Sequence, residues 1–150
     1  MRRFLSLPLI FASLVHAETP SRAPAGSGTL FNGWKLSPAG SHVALPGDMP
    51  LKMILSPDGK VAVTVCAGYN SPGLAVLSVA EQKQTQFIPV PHLWNGLAFD
   101  REGKRLFVSG GNSGEVHVFK YEAGEFSPLT SVKVAKEGTP KFVAGIAVHP

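Results

Sequence analysis

The chain has very few of the residues that hold small exported domains together covalently. Its 150 residues include one cysteine, Cys66. A single cysteine cannot form an intrachain disulfide, so a disulfide-stabilised scaffold is excluded and a fold must rely on its hydrophobic core. Cys66 itself lies within an apolar strand pattern, which predicts a small buried residue and not a reactive thiol.

Long hydrophobic runs are also absent, apart from one short run near the start. Residues 4–15 are mostly apolar and follow the cationic Arg2-Arg3. Small residues stand three and one positions before a cut after Ala17. This order is typical of a secretory signal peptide, and the run is too short to span a bilayer of about 30 Å as a helix. We therefore predict a signal peptide at 1–17, a flexible Pro/Ser/Gly-rich linker at 18–29, a periplasmic or secreted location, and no membrane span after cleavage.

Charged residues are sparse and unclustered. They make up 16% of the chain, and without Arg2 and Arg3 twelve basic residues face ten acidic ones, a formal net charge of +2. A nucleic-acid-binding surface would require a clustered basic stripe, so we expect no nucleic-acid partner. The sequence also lacks H-E-x-x-H, paired histidines and carboxylate clusters, so we predict no metal site, no cofactor and no catalytic residue within this segment.

The chain does contain an internal repeat of short strands, with no convincing helix. The segment MILSPDGKVAVTV at 53–65 recurs as LAFDREGKRLFVS at 97–109, with Gly59-Lys60 matching Gly103-Lys104 at an offset of 44. A third copy opens with AGIAVHP at 144–150. Each full unit is predicted to form four strands, at 51–55, 61–67, 74–79 and 85–90, and at 96–100, 105–109, 115–121 and 129–135.

A repeating four-stranded unit of about 44 residues is typical of a β-propeller blade. We therefore predict an all-β, incomplete β-propeller over residues 30–150. It has two full four-stranded blades at about 50–90 and 95–135, a hairpin or N-terminal outer strand at 34–45, and a third blade that begins at about 142. Residues 51–55 and 96–99 are apolar at nearly every position, which predicts inner strands buried on both faces.

The repeats LSPDGKVAVTV, LAFDREGKRLFVSGG and AGIAVHP resemble those of YVTN-type seven-bladed propellers, which are in turn similar to lactonase-like propellers that include 6-phosphogluconolactonase. The match covers about residues 41–150. It implies an exported bacterial propeller, and some relatives with similar openings carry a phosphoesterase domain after the propeller. Because a closed ring needs about four to eight blades, we expect the chain to be the N-terminal part of a longer protein. The alternative is a ring closed by oligomerisation.

Propeller ligands usually bind among the loops that lead into the inner strands. The most site-like group there is His92, Trp94 and Asn95, which places a titratable ring, an aromatic platform and an amide within four residues. Further candidates for ligand binding in the same region of the fold are Met49, Lys52, Tyr69 and Asn70. A purely structural alternative stays open, in which Trp94 packs between blades, Asn95-Gly96 forms a turn and His92 is a solvated loop residue.

Two functional hypotheses follow. The first is an exported propeller module that binds or scaffolds an unknown protein or small molecule, without catalysis in this segment, and whose natural partners include the remaining blades of a longer chain. The alternative is the N-terminal part of a lactonase-like or phosphoesterase-linked propeller hydrolase. Asp58 and Glu102 occupy matching hairpin turns, and turn chemistry is expected to explain both.

Overall fold

The computed structural model describes residues 28–29, 32–36, 39–134, 138 and 141–149. The predicted signal peptide and nearly all of the predicted linker lie outside these residues. In the part of the chain that is described, all regular structure is β-strand, and no helix there is long and apolar enough to cross a membrane.

Two four-stranded antiparallel sheets form the body of the fold, as the repeat predicts. The first blade consists of β3 (Pro50–Leu55), β4 (Val61–Cys66), β5 (Gly73–Ser78) and β6 (Lys83–Pro89), paired in that order. The second consists of β7 (Leu97–Phe99), β8 (Arg105–Ser109), β9 (Glu115–Glu122) and β10 (Glu125–Lys133). The prediction of an all-β fold built from propeller blades is confirmed.

The last strand of the second blade begins earlier than the predicted position 129. Ala123 and Gly124 both have positive φ, at 53° and 93°, and this tight turn pairs Glu125 directly with Glu122. A bulge between Pro128 and Thr130 then interrupts the register. Proline has no N–H to donate within a sheet, so the sequence alone does not indicate that β10 continues through Pro128.

The first hairpin of each blade forms as its turn residues predict. The N–H of Gly59 donates to the carbonyl of Ser56 at 2.8 Å, and that of Gly103 donates to the carbonyl of Asp100 at 3.1 Å. Gly59 and Gly103 have φ of 69° and 70°, a left-handed conformation that glycine adopts without steric cost. The same turn therefore sets the same register in both blades.

The hydrophobic core lies between the two blades. Val63 and Val65 of β4, with Leu74 and Val76 of β5, pack against side chains of β8, β9 and β10. The largest contributions from the second blade are Leu106, Val108, Phe119, Tyr121 and Phe126. Burying a side chain of this kind contributes about 1.5–3 kcal/mol relative to leaving it exposed. The packed contact between the two blades, here called the seam, is therefore the main source of stability within the described residues.

The prediction that both inner strands are buried on two faces is wrong for the first blade. Leu51, Met53 and Leu55 of β3 are 37%, 55% and 60% exposed, whereas Leu97 of β7 is 2% exposed. Met53 and Leu55 project from the face of their sheet that is turned away from the second blade. Leu97 occupies the equivalent position 44 residues later, where the same face packs on the first blade.

Short pairings flank the two blades. β1 (Gly28–Thr29) pairs with β2 (Lys35–Leu36) in a two-stranded sheet, while residues 39–49 contain no strand. After the second blade, Val143 forms an antiparallel bridge with Gly111, through hydrogen bonds of 2.8 and 3.1 Å. The described chain therefore returns to the loop between β8 and β9, and the start of a third blade at about 142 stays a prediction.

Candidate functional site

The connections between strands fall into two groups at opposite ends of the blades. Because neighbouring strands are antiparallel, the β3–β4, β5–β6, β7–β8 and β9–β10 turns lie at one end, here called the turn end. The β4–β5, β6–β7 and β8–β9 loops lie at the other, here called the loop end. The loop end contains a cleft of about 400 Å³ between the two blades. Its walls are formed by Ala67, Gly68, Tyr69, Pro72, Pro91, His92, Leu93, Trp94, Gly111, Asn112 and Phe142.

Three of the six residues predicted for ligand binding line this cleft. Tyr69 comes from the β4–β5 loop, and His92 and Trp94 come from the β6–β7 loop. Residues 25 positions apart in the sequence therefore meet at one site. The β6–β7 loop leads into an inner strand, whereas the β4–β5 loop, which carries Tyr69, leads into the third strand of its blade.

The other three predicted residues do not line the cleft. Asn95 and Lys52 are exposed outside it, and the carbonyl of Lys52 accepts a hydrogen bond from the Thr64 hydroxyl at 2.9 Å. Asn70 uses its side-chain amide to bond Asp48 at 3.1 Å. Met49, also a candidate, is exposed, and its carbonyl accepts the N–H of Ala67 at 3.2 Å.

Aromatic side chains dominate the wall. Trp94 is half-buried and packs edge-on against Phe142, with ring centroids 5.2 Å apart and planes at 78°. This is the favourable edge-to-face arrangement of two aromatic rings. Tyr69 stands at the rim with 97% of its surface exposed, and Phe142 is 58% exposed. Phe142 was not among the residues predicted from the sequence. The available signal was the repeat, in which Phe142 stands three residues before Gly145 just as Leu93 stands three residues before Gly96.

The β6–β7 loop that carries His92 and Trp94 is held by Ser109, a fully buried residue at the end of β8. The Ser109 carbonyl accepts the N–H of Trp94 at 2.9 Å, and its hydroxyl accepts the N–H of Gly96 at 2.8 Å. Gly96 has no room for a side chain, because a Cβ there would lie 2.7 Å from that hydroxyl. The aromatic and imidazole rings thus project from an anchored loop.

His92 has a backbone conformation that few residues adopt. Its φ is 60°, in the left-handed region where histidine is more common than most non-glycine residues. The imidazole is exposed to the cleft. Backbone conformations of this kind cluster at ligand-binding sites, where the surrounding structure holds them.

Uncharged groups make up the rest of the wall. Among the residues that the structure describes, the cleft is lined by no Lys, Arg, Asp or Glu side chain. His92 is therefore the lining residue with an imidazole, the side chain that most often serves as a general acid or base. Burial, with a smaller contribution from Asp48, raises the pKa of the nearby Cys66 thiol, which keeps it protonated and excludes it as a nucleophile because the thiolate is the reactive form.

No known family model matches the chain, and no curated protein matches it. Solved structures do. A putative 6-phosphogluconolactonase from Bacteroides fragilis aligns with a TM-score of 0.51 and 21% identity over 62% of this chain and 26% of that one. The periplasmic gluconolactonase of Pseudomonas aeruginosa aligns with a TM-score of 0.48 and 23% identity over 60% of this chain and 27% of that one.

The chain spans about a quarter of the length of either structure. At 21% identity, the first likeness establishes the fold alone. The two sheets described above are accordingly two blades of an incomplete β-propeller.

Proposed function

We propose that the loop-end cleft binds a cyclic, sugar-derived ligand, and that the protein is a lactonase-like propeller hydrolase in which this chain forms one wall of the site. The observation that carries the proposal is the convergence of Tyr69, His92 and Trp94 on one cleft of about 400 Å³. Small-molecule sites are typically apolar and aromatic clefts of roughly 300–1,000 Å³ with a few well-placed polar groups. Flat aromatic faces suit the C–H faces of a sugar ring.

The lining groups also suit the opening of a lactone ring. A water molecule would attack the lactone carbonyl carbon while His92 accepts its proton as a general base. The bond between that carbon and the ring oxygen would then break, and the ring oxygen would take up a proton to give the hydroxy acid. The amide of Asn112, which also lines the cleft, is a candidate donor to the carbonyl oxygen, where negative charge develops.

The neighbour with the higher TM-score, described as a putative 6-phosphogluconolactonase, supports a lactone as the first ligand to test. A second candidate function is binding without catalysis. It is favoured by the fact that, among the described lining residues, no Asp or Glu accompanies His92 as a second acid or base. The two candidates differ in a single measurable step, the hydrolysis of a bound lactone.

The binding experiment uses tryptophan fluorescence. The chain has two tryptophans, and Trp34 is 70% exposed outside the cleft, so Trp34→Phe leaves Trp94 as the reporter. Gluconolactam, a hydrolysis-resistant analogue of the lactone, is titrated into the complete gene product. We expect a saturable change in emission that Trp94→Phe removes. An unchanged emission at millimolar lactam, in a protein with intact circular dichroism, would contradict the proposed binding.

Hydrolysis is followed by acid release at constant pH, after subtraction of the spontaneous rate. Glucono-1,5-lactone and its 6-phosphate are compared. His92→Asn is the informative variant, because asparagine also tolerates positive φ but is no base at neutral pH. We expect this variant to bind the lactam and to lose hydrolysis. Equal rates with and without the imidazole would leave the protein as a binding module.

We also propose that the protein is exported, as its N-terminal residues 1–17 suggest. The proposal is supported by the charged, apolar and small-residue order of that segment. Cell fractionation, with N-terminal sequencing of the mature protein, tests it. A mature chain that begins at Glu18 is expected, and an uncleaved protein confined to the cytoplasm would contradict export.

A further inference from the structure

The position of Tyr69 in the cleft is not explained by its own contacts. The residue lies in the loop between β4 and β5 and is 97% exposed, so its ring adds little that would hold the loop in place. Its neighbours in the chain supply the constraint. Gly68 and Asn70 are both bonded to Asp48, a residue 20 positions earlier that precedes the first blade.

Asp48 binds the loop on both sides of Tyr69. Its carbonyl accepts the N–H of Gly68 at 3.2 Å. Its carboxylate accepts the N–H of Asn70 at 3.2 and 3.3 Å and the Asn70 side-chain amide at 3.1 Å. Hydrogen bonds to an ionised acceptor are stronger than those between neutral groups. These contacts determine where the backbone of Tyr69 can lie.

Two glycines allow this close approach. A Cβ on Gly68 would lie 1.9 Å from Oδ1 of Asp48. A Cβ on Gly47 would lie 2.5 Å from Cβ of Cys66 and 2.9 Å from the carbonyl oxygen of Ser71. The Gly47-Asp48 segment therefore fits against the loop closely, and it fits because both positions lack side chains.

We propose that Asp48 is a positioning residue that holds Tyr69 at the rim of the cleft and thereby sets the affinity of the cleft for a ring-shaped ligand. Asp48 does not line the cleft and acts through Tyr69. Holding a loop in its bound conformation before the ligand arrives lowers the entropy lost on binding. The effect of Asp48 on ligand affinity, here called the ligand part of this inference, rests on the proposed function. The effect of Asp48 on the conformation of the loop, here called the hold on the loop, does not.

The hold on the loop is tested without any ligand. Labelling with 3-fluorotyrosine gives ¹⁹F resonances from Tyr69 and Tyr121, each assigned as the signal that its Tyr→Phe variant removes. Tyr121 is buried in the seam and serves as an internal control. Asp48→Ala is expected to shift and narrow the Tyr69 resonance and to leave that of Tyr121 unchanged. Glu81→Ala, which removes the same charge from an exposed turn, is expected to change neither.

A second variant covers the case in which Asp48→Ala does not fold. Asp48→Asn retains a side-chain oxygen that can accept the N–H of Asn70, but it places an amide against the amide of Asn70. We expect a smaller change in the same direction at Tyr69. A Tyr69 resonance that is identical in the unmodified protein and in the folded Asp48 variants overturns the inference.

The ligand part is tested by a double-mutant cycle on lactam affinity in the Trp34→Phe background. Asp48→Ala and Tyr69→Ala are each expected to weaken binding roughly tenfold, the effect of one contact worth about 1.4 kcal/mol. Because Asp48 acts through Tyr69, the double variant should bind no more weakly than either single variant. A roughly hundredfold additive loss in the double variant overturns the positioning role.

The two proposals fail in different ways. If the lactam does not bind the unmodified protein while Asp48→Ala still releases the Tyr69 resonance, the proposed function is overturned together with the ligand part of this inference. That result supports the hold of Asp48 on the loop.

Discussion

The two ends of the seam between the blades are built differently. At the turn end, side chains of one blade bond the other directly. The Tyr121 hydroxyl donates to Asp58 at 2.8 Å, and the Gln86 amide bonds both the carbonyl and the N–H of Phe126, at 2.7 and 2.9 Å. Each end has a cleft between the blades of about 390–400 Å³, but the loop-end cleft is lined by the rings of Tyr69, Trp94 and Phe142, whereas none of the described residues that line the turn-end cleft at Thr85, Gln86 and Gly124 is aromatic.

Left-handed backbone conformations do not separate the two ends. Met49, Ser71 and His92 at the loop end and Gln82 and Ala123 at the turn end all have φ between 49° and 60°. Three ring contacts at the turn end join Phe99, Tyr121 and Phe126, with centroids 4.8 to 6.0 Å apart. The comparison indicates that the turn end sets how the blades pack, which leaves the loop end available for recognition.

The largest effect is expected from Phe126→Ala at the turn end. Phe126 is 2% exposed and belongs both to the core and to the aromatic cluster. Loss of a buried phenylalanine costs about 3–5 kcal/mol of unfolding free energy. Urea unfolding of the complete protein measures it, with Phe142→Ala at the loop end as the matched control. Equal losses for the two phenylalanines would remove the distinction between the ends.

A smaller loss is expected from Gln86→Leu. The substitution leaves the backbone N–H and carbonyl of Phe126 without their partner, at a cost of roughly 1–3 kcal/mol. Gln84→Leu, the same change two residues earlier on β6, is the control. If both variants unfold at the same urea concentration, the amide of Gln86 does not join the blades.

The link between Asp58 and Tyr121 should appear in the dependence of stability on pH. The hydroxyl of Ser56, then that of Tyr121 and the N–H of Lys60, lower the pKa of Asp58 from 3.8 to about 2. A carboxyl group whose pKa is lower in the folded than in the unfolded state stabilises the folded protein at pH values above its unfolded pKa. This stabilisation is lost as the pH falls from about 4 to about 2. The unfolding free energy of Tyr121→Phe should fall less across this window than that of the unmodified protein. An unchanged pH profile would show that the hydroxyl does not contribute.

The smallest effect on stability is expected at the rim of the cleft. Tyr69→Ala should change the unfolding free energy by no more than about 0.5 kcal/mol, as is usual for exposed sites. The same variant is expected to weaken lactam binding roughly tenfold. A thermal melt alongside the fluorescence titration tests both. A large fall in stability would mean that the loop end also supports the fold.

Part of this arrangement was predictable from local sequence. The Ser56-Pro57-Asp58-Gly59 turn, the repeat offset of 44 and the strand positions follow from short-range rules, because turn conformation depends on a few adjacent residues. The expectation that turn chemistry explains Asp58 fully was wrong. Its carboxylate also binds Tyr121, 63 residues later, and no local pattern indicates a contact of that sequence separation.

The candidate site divides in the same way. Tyr69, His92 and Trp94 could be proposed because blade topology places the β4–β5 loop and the loop before the inner strand β7 at the same end of the fold. Asp48 and Phe142 could not be proposed from the sequence. The role of Asp48 depends on the adjacent Gly47 and on Gly68, 20 residues later, which let the two segments approach closely. That of Phe142 depends on the Val143–Gly111 bridge, which brings its ring to Trp94.

The strand order, the turns and the division into blades are properties of the sequence, since strand propensity and turn chemistry act between near neighbours. The burial of a given strand is not. Residues 51–55 and 96–99 have nearly the same apolar pattern, yet Met53 is 55% exposed and Leu97 is 2% exposed. The packing of the sheets determines the burial of each strand, because burial depends on which sheet lies against a given face. The residues of a single strand do not specify that neighbouring sheet.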